Sequence, residues 1–266
     1  MRLTLHYGVP PLLELENVTV VRGDEPALRD LNLRIESGEH VCILGPNGCG
    51  KSTLIKTITR ECYPLVRENS SMRILGRERW DIFELRARLG IVSPDLLASC
   101  TTDSTGRDVV LSGFFSSTRI FPHHQPDKDH LERTDLALAR LGVAHLADRP
   151  LLQMSSGEAK RTLIARALVH DPDTLLFDEP SNALDIAAQF HLRKAMRDLA
   201  RSGLAILLVT HHVSEIIPEI DRVILLRAGR ILADGPKEKV LTEENLRVLF
   251  GVELRLYRSD GYFHLF

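Results

Sequence analysis

The clearest chemical motif in the sequence is the run Gly45-Pro46-Asn47-Gly48-Cys49-Gly50-Lys51-Ser52-Thr53. It matches the spacing G-x-x-x-x-G-K-[ST] of a phosphate-binding loop. Three glycines allow the backbone to curl until several N–H groups point at one anion. Lys51 adds a positive charge for the terminal phosphates, and Ser52 offers a hydroxyl to Mg²⁺. The motif therefore predicts a site for a nucleoside triphosphate and its magnesium ion.

The segments on either side of this loop have the patterns that the motif requires. Residues 40–44 form a short apolar run that is typical of a buried parallel strand. Residues 53–59 then have a helical pattern, and the N-terminus of a helix favours anions such as phosphate. The order of strand, loop and helix distinguishes the motif from a chance match in a glycine-rich loop.

A second chemical feature is the carboxylate pair Asp178 and Glu179, which follows the apolar run Thr174-Leu175-Leu176-Phe177. Ligands of open α/β sheets bind at the carboxyl ends of the strands. Adjacent strand residues point to opposite sides. One carboxylate can therefore support Mg²⁺ while the other polarises a water molecule.

The order of the elements predicts an α/β protein. Residues 12–21 and 27–35 alternate apolar and polar, which indicates antiparallel strands ahead of the loop. Further on, buried strand patterns alternate with helical ones, which indicates a parallel sheet. Between these, residues 105–115 and 128–141 have helical patterns and indicate an inserted helical region.

Five motifs in order make the sequence resemble the ATP-binding-cassette (ABC) ATPases over roughly residues 12–250. The phosphate loop is the first, and the others follow it along the chain. They are the signature Leu-Ser-Gly-Gly-Gln, resembled by Met154-Ser155-Ser156-Gly157-Glu158; the Walker B strand with its glutamate, Thr174 to Glu179; the D-loop, Ser181-Asn182-Ala183-Leu184-Asp185; and the switch histidine, His211.

The resemblance implies a P-loop NTPase of the RecA-like type. Its parallel sheet core carries an N-terminal antiparallel β-subdomain and an inserted α-helical subdomain. We expect residues 1–93 to hold the β-subdomain and the phosphate-loop half of the core, and residues 94–151 the helical subdomain. Residues 152–250 then hold the signature and Walker B half, and residues 251–266 a short β tail around Asp260-Gly261.

The resemblance also implies a role for each motif residue. Lys51 holds the phosphates, together with the rest of the loop from Gly45 to Thr53. Ser52 and Asp178 hold Mg²⁺. Glu179 polarises the attacking water, and His211 contacts the γ-phosphate.

A head-to-tail homodimer follows from the same resemblance. Two ATP molecules are sandwiched in it, each between the phosphate loop of one chain and the signature of the other. Ser155, Ser156, Gly157 and Glu158 then make the signature contact in trans, and Asp185 belongs to the D-loop beside it. The helix that starts near Gly157 directs its positive end toward that phosphate.

Two positions depart from the family pattern. The aromatic residue expected under the adenine is replaced by Arg22, whose guanidinium can either stack on a base or remain solvated. The glutamine expected after residues 89–93 is replaced by Pro94, with Asp95 next. Proline cannot ligate Mg²⁺ or bind the attacking water, so Asp95 is the residue available to substitute for it.

Composition restricts the other function classes. The formal net charge of −2 gives no reason to expect a nucleic-acid partner. The four cysteines form no C-x-x-C pair and indicate reduced thiols in a cytoplasmic protein. No apolar run approaches 18 residues, and residues 1–7 lack the apolar core of a signal peptide. His123-His124 is interpreted as a solvated loop pair, because a metal site needs three or four ligands.

The cellular role is open between two hypotheses. In the first, the chain powers transport through separate membrane subunits and lies on the inner face of the membrane. Residues 105–113 resemble a stretch in the ATPases of iron-chelate, haem and cobalamin importers, although an ordinary amphipathic helix explains them equally well. The overall pattern is also similar to that of molybdenum-type importers. In the second, favoured by the altered glutamine position, the chain is a soluble ABC-type ATPase that acts in regulation or assembly.

Overall fold

The computed structural model describes residues 9–100 and 103–266. The prediction for residues 1–7 therefore lies outside the described residues. The strands are β1 Leu13–Arg22, β2 Glu25–Ile35, β3 Val41–Leu44, β4 Ser71–Ile74, β5 Leu89–Val92, β6 Thr174–Asp178, β7 Ala205–Thr210, β8 Arg222–Arg227, β9 Arg230–Pro236, β10 Leu256–Ser259 and β11 Tyr262–Leu265. The helices are α1 Lys51–Ile58, α2 Ile82–Arg88, α3 Pro94–Cys100, α4 Gly106–Leu111, α5 Lys128–Arg140, α6 Ser156–Leu168, α7 Ile186–Arg201, α8 Lys237–Val240 and α9 Glu243–Phe250.

The central sheet has six strands in the order β5-β6-β7-β3-β8-β9. Its first five strands are parallel, and β9 returns antiparallel to β8. All four residues of β3 are buried, as expected for a parallel strand covered on both faces. The α/β fold class predicted from the sequence is confirmed.

Alternation along β3 shows how the two faces of this sheet are covered. Val41 and Ile43 pack in one core with α1 and the N-terminal sheet. Cys42 and Leu44 belong to a second core, which α6 and α7 close from the opposite side. This division follows from the two-residue period of a strand. Each fully buried Leu or Ile contributes about 1.5–3 kcal/mol relative to an exposed one.

The N-terminal sheet is antiparallel, with the strand order β2-β1-β4. Leu13 pairs with Ile35 on one side and with Ile74 on the other. The inward-facing residues of β2 are buried while their neighbours are exposed, as the alternating sequence predicts. This sheet covers the phosphate-loop side of the central sheet.

A group of helices is inserted between β5 and α6. α4 and α5 pack on α6 through buried residues such as Val110, Leu138 and Leu163. The helical segment predicted over residues 105–115 is an α-helix as far as Leu111 and a 3₁₀ turn over Ser112–Phe115. A Cβ on Gly113 in that turn would lie 2.9 Å from the carbonyl oxygen of Arg166, so the turn packs tightly on α6.

The chain ends in α8, α9 and the hairpin β10-β11, which turns at Asp260 and Gly261. Both turn residues have positive φ, as a tight hairpin requires. Within residues 9–100 and 103–266, no helix combines the length and apolar character needed to span a membrane.

Candidate active site

The phosphate loop connects the carboxyl end of β3 to α1. Gly50 has φ of +111°, and a Cβ there would lie 2.6 Å from the carbonyl oxygen of Ala27. Neighbouring strands hold the loop in place: Gly45 N–H donates to Thr210 O at 3.2 Å, and Gly229 N–H donates to Cys49 O at 2.9 Å. The loop conformation is therefore fixed by the fold, and only glycine fits at position 50.

A cavity of about 330 Å³ opens at this loop. It is lined by Ala27, Asn47, Gly48, Gly50, Lys51, Ser52, Thr53 and Glu179. α1 begins at Lys51, two residues earlier than predicted, so its first N–H groups lie at the cavity. Lys51 is only 4% exposed, and its Nζ donates to the carbonyls of Gly45 at 2.8 Å and Pro46 at 3.0 Å. Backbone donors and a held cation make this cavity suited to a polyphosphate.

Glu179 contacts three groups at the edge of the cavity. Its Oε1 lies 3.3 Å from Lys51 Nζ and 3.1 Å from His211 Nδ1. Its Oε2 accepts a 2.7 Å hydrogen bond from Asn182 Nδ2. Burial pushes the pKa of Glu179 upward, but the Asn182 bond and the charges of Lys51 and His211 outweigh it and lower the pKa. Glu179 is therefore held as a carboxylate that can accept a proton.

The backbone of Glu179 is also unusual. Its φ is +44°, in the left-handed region that residues with a Cβ rarely adopt. Its N–H donates to Val209 O at 2.8 Å, which anchors the residue to the end of β7. The fold thus imposes a strained backbone conformation on Glu179, the residue predicted to polarise the attacking water.

Asp178 supplies the second carboxylate. Among the described residues, its buried Oδ1 has no hydrogen-bond partner. Burial and the neighbouring charge of Glu179 raise the pKa of Asp178 to about 6. A divalent cation would satisfy this buried, unpaired carboxylate oxygen and would favour its ionised form. Mg²⁺ prefers oxygen donors of this kind. The Asp178 carboxylate therefore suits a magnesium ion, and the hydroxyl of Ser52, which lines the phosphate-loop cavity, is an oxygen donor of the kind Mg²⁺ prefers.

His211 follows directly after β7 and is partly buried. Its ring leans on that of His212, with centroids 3.8 Å apart, while its Nδ1 faces Glu179. The fold thus brings the histidine and the glutamate together from different strands.

The signature residues form the start of α6. Ser155 is the N-cap, and its Oγ accepts the Glu158 N–H at 3.3 Å. The Glu158 carboxylate accepts in return from the N–H of Ser155 at 2.8 Å, and this bond is the first cause that lowers its pKa. Gly157 is buried, since a Cβ there would lie 2.9 Å from the Cβ of Ala188. In the part of the chain that the structure describes, no signature residue lines the phosphate-loop cavity.

Other predicted residues lie outside this cavity. Asp185 caps α7 by accepting the Ala188 N–H at 2.7 Å. Arg22 is exposed at the end of β1 and, within residues 9–100 and 103–266, is not part of the cavity lining. Pro94 begins α3, and Asp95 forms an ion pair with Lys56 at 3.1 Å. His123 and His124 contact each other through their rings, and the described residues contain no cluster of three or more His, Cys, Asp or Glu suited to a metal.

Sequence reasoning included Asn182 in the D-loop without giving it a role of its own, and it did not single out Lys160. Asn182 donates to the Glu179 carboxylate, and Lys160 in turn donates to the backbone of Asn182 at 2.6 Å. The D-loop motif is the sequence signal for Asn182. The sequence signal for Lys160 is its position on the apolar face of a helix, where a buried lysine needs a partner.

The fold and the strand–loop–helix cavity define a P-loop nucleoside triphosphatase. Residues 28–182 match the ABC transporter family. A manganese transport system ATP-binding protein (MntB) of Bacillus subtilis is 34% identical, over 93% of this chain and 95% of its own length. A hemin import ATP-binding protein (HmuV) of Bradyrhizobium diazoefficiens is 31% identical, over 94% and 92%.

A solved structure agrees with these relatives. CbiO1 of Clostridium perfringens, part of the ABC transporter complex CbiONQ, superposes with a TM-score of 0.73 at 28% identity, over 89% of this chain and 93% of its own. The chain belongs to the ABC transporter ATP-binding family. It is accordingly an ATP-binding and ATP-hydrolysing cassette subunit, as the five motifs predicted.

Proposed function

We propose that this chain powers the import of a metal ion or metal chelate through separate membrane subunits. The observation that carries the proposal is the near full-length similarity to ATPases of manganese and hemin import. CbiO1, which is part of a transporter complex, supports the same assignment. The cassette would then act in the cytoplasm, docked peripherally on the permease at the inner face of the membrane.

Binding of ATP begins at the phosphate loop. Phosphate oxygens compete with the Gly45 and Pro46 carbonyls for Lys51, and the first N–H groups of α1 add further donors. Asp178 and Ser52 would hold Mg²⁺, which neutralises phosphate charge when it is bound. The sequence predicts that Arg22 adds a weak stacking contact to the adenine.

Hydrolysis requires a group that orients and deprotonates water. Glu179 suits this role because hydrogen bonding and nearby cations keep it ionised. General-base assistance of this kind contributes roughly 10²–10⁴ in rate. His211, which lies 3.1 Å from the same carboxylate, would contact the γ-phosphate and hold Glu179 toward it.

Each site is completed by a second copy of the chain. Ser155 and Ser156 are exposed at the start of α6 and are available to the nucleotide of another protomer, with Gly157, Glu158 and Asp185 beside them. Their absence from the lining of the described phosphate-loop cavity supports a contact in trans. The active form is then a homodimer with two ATP molecules between its subunits.

The membrane partner would dock on residues 94–151, the helical subdomain inserted between β5 and α6. A second cavity of about 290 Å³ lies at its base, between α1, β5 and the turn after α4. Asp95 and Asp178 both line it, so it joins the docking region to the magnesium carboxylate. In this chain Asp95, rather than a glutamine, would carry that connection.

Uptake measurements test the proposal. Cells that lack this gene should accumulate less of one among manganese, iron and haem, as measured by elemental and haem analysis. The wild-type gene should restore uptake, and Glu179→Gln should not. A purified wild-type cassette that recovers a membrane protein with several spans supports the assembly. Unchanged levels of haem and of every metal in the elemental analysis would overturn the proposed substrate class.

A further inference from the structure

A buried lysine on α6 lies behind the loop that carries Asn182. Lys160 is 7% exposed and lies two residues after the signature. Its Nζ donates to the carbonyls of Pro180 and Asn182, the second at 2.6 Å. Burial lowers the pKa of Lys160 to about 8, and the charge of Glu215 limits the shift. One cation therefore clamps the backbone on both sides of Ser181.

A buried carboxylate holds the same loop from the other side. Glu215 is 4% exposed and lies in the 3₁₀ turn that follows His211. The hydroxyl of Ser181 donates to its Oε1, whereas its Oε2 has no hydrogen-bond partner among the described residues. Residues 180–182 are thus fixed between two buried charges that come from different elements.

The clamped loop ends at the catalytic carboxylate. Asn182 donates from its side chain to Glu179 Oε2, and its N–H donates to Glu179 O at 3.3 Å. Lys160 therefore reaches Glu179 through one residue, since it binds the backbone of Asn182 whose amide binds the carboxylate. Through Lys160, the same helix that presents Ser155 at its start also supports Glu179.

Stability alone gives little reason to bury these charges. Removing an ammonium or carboxylate from water is costly, and apolar side chains of similar volume often pack as well. What the charges provide is a fixed direction for two carbonyls and one hydroxyl. A small displacement of a general base is enough to lower its rate by about a hundredfold.

We propose that Lys160 is a positioning residue for hydrolysis: it holds residues 180–182 so that Asn182 aims the carboxylate of Glu179. The inference rests on the proposed role of Glu179. The start of α6 is proposed to contact the nucleotide that the partner binds. Through Lys160, that contact at one site would affect the position of Glu179 at the other site.

The test is a double-mutant cycle on the full-length protein. Lys160→Met and Asn182→Ala should each lower kcat by about ten- to a hundredfold and leave the Kd for ATP unchanged. The double variant should be no slower than the slower single variant, because both changes break one chain of contacts. Lys160→Arg, which keeps two donors, should recover part of the rate. Lys239→Met, an exposed lysine on α8, is the matched control and should turn over as wild type.

Several outcomes would overturn the inference. A folded Lys160→Met with wild-type kcat would do so, and so would losses that multiply in the double variant, which indicate separate roles. If circular dichroism shows that Lys160→Met does not fold, Asn182→Ala and Lys160→Arg test the inference instead. A wild-type kcat in Asn182→Ala would then reject the chain of contacts. The proposed role of Glu179 fails separately, if Glu179→Gln hydrolyses ATP at the wild-type rate.

Discussion

Two helix starts in this protein, those of α1 and α6, are both proposed to face phosphate, but they are built differently. α1 follows Gly50, and within the described residues no side chain caps it, while its first turn opens on a cavity. α6 has a complete capping box, in which Ser155 and Glu158 satisfy each other. The N–H groups at the start of α1 are available to a phosphate. At the start of α6, the N–H groups of Ser155 and Glu158 are already hydrogen-bonded within the capping box.

The difference gives the two helices different roles: α1 would determine the affinity for ATP, and α6 would act when two chains assemble. The start of α1 forms a phosphate site within one chain, since loop, lysine and helix are contiguous. The start of α6 is stable by itself, and its Ser155 hydroxyl can reach a phosphate only by leaving Glu158, to which it donates at 2.9 Å. ATP binding should therefore depend on α1 in the single chain, whereas α6 should matter only when two chains meet.

The largest effect is expected from Lys51→Ala. Lysine donates to phosphate through charge-assisted hydrogen bonds, and the loss of about 3 kcal/mol corresponds to roughly a hundredfold weaker ATP binding. The Kd for a labelled ATP analogue measures it, with Lys239→Ala as the exposed control. Wild-type affinity in a folded Lys51→Ala would show that the cavity at α1 is not the nucleotide site.

Ser155→Arg should affect the other helix start. A bulky cation at the cap should leave the Kd for ATP unchanged and lower steady-state hydrolysis by about ten- to a hundredfold, because the site completed in trans is blocked. Comparing the Kd with the turnover rate separates the two helices. Wild-type turnover in Ser155→Arg would place the completion of the site elsewhere.

Glu158→Ala should lower stability without weakening ATP binding by the single chain. It removes half of the capping box and should lower the free energy of unfolding by about 0.5–1 kcal/mol. In a chain of this size, the expected fall in Tm is about 1–4 °C. The Kd for ATP should not change. A weakened ATP affinity would mean that the start of α6 contributes to the nucleotide site of its own chain.

Arg22→Tyr should produce a modest change, and in the direction of tighter binding. Replacing a guanidinium by an aromatic ring should strengthen stacking on adenine by about 1 kcal/mol, or roughly fivefold in Kd. In the wild type, ATP and GTP should then compete within about tenfold, a difference of ~1.4 kcal/mol. An unaltered Kd for both nucleotides would remove Arg22 from the site.

The sequence predicted the phosphate loop and the fold class because their signals are local. The loop is one contiguous run between a strand and a helix, and the core strands are continuous apolar segments. In the structure α1 begins two residues before the predicted residue 53, with a lysine at the positive end of the helix, where a cation is disfavoured. It is tolerated there because the carbonyls of Gly45 and Pro46 accept its charge.

The features that could not be predicted from the sequence depend on contacts between distant segments of the chain. The segment over residues 105–115 changes from an α-helix to a 3₁₀ turn where Gly113 packs against the backbone of α6, and no local sequence pattern records that contact. Lys160, Asn182 and Glu215 come from three elements, and only folding joins them behind Glu179. Propensity describes each residue's own segment and says nothing of such partners.

The central claim is that ATP is hydrolysed by Glu179 in a dimer that forms around the nucleotide. Light scattering of Glu179→Gln, with ATP and with ADP, tests it most directly. The glutamine keeps the shape of the side chain but removes the base, so binding energy is retained and not released by hydrolysis. We expect a dimer with ATP, a monomer with ADP, and loss of the ATP dimer when Ser155→Arg is added. A Glu179→Gln protein that stays monomeric with ATP would contradict the account.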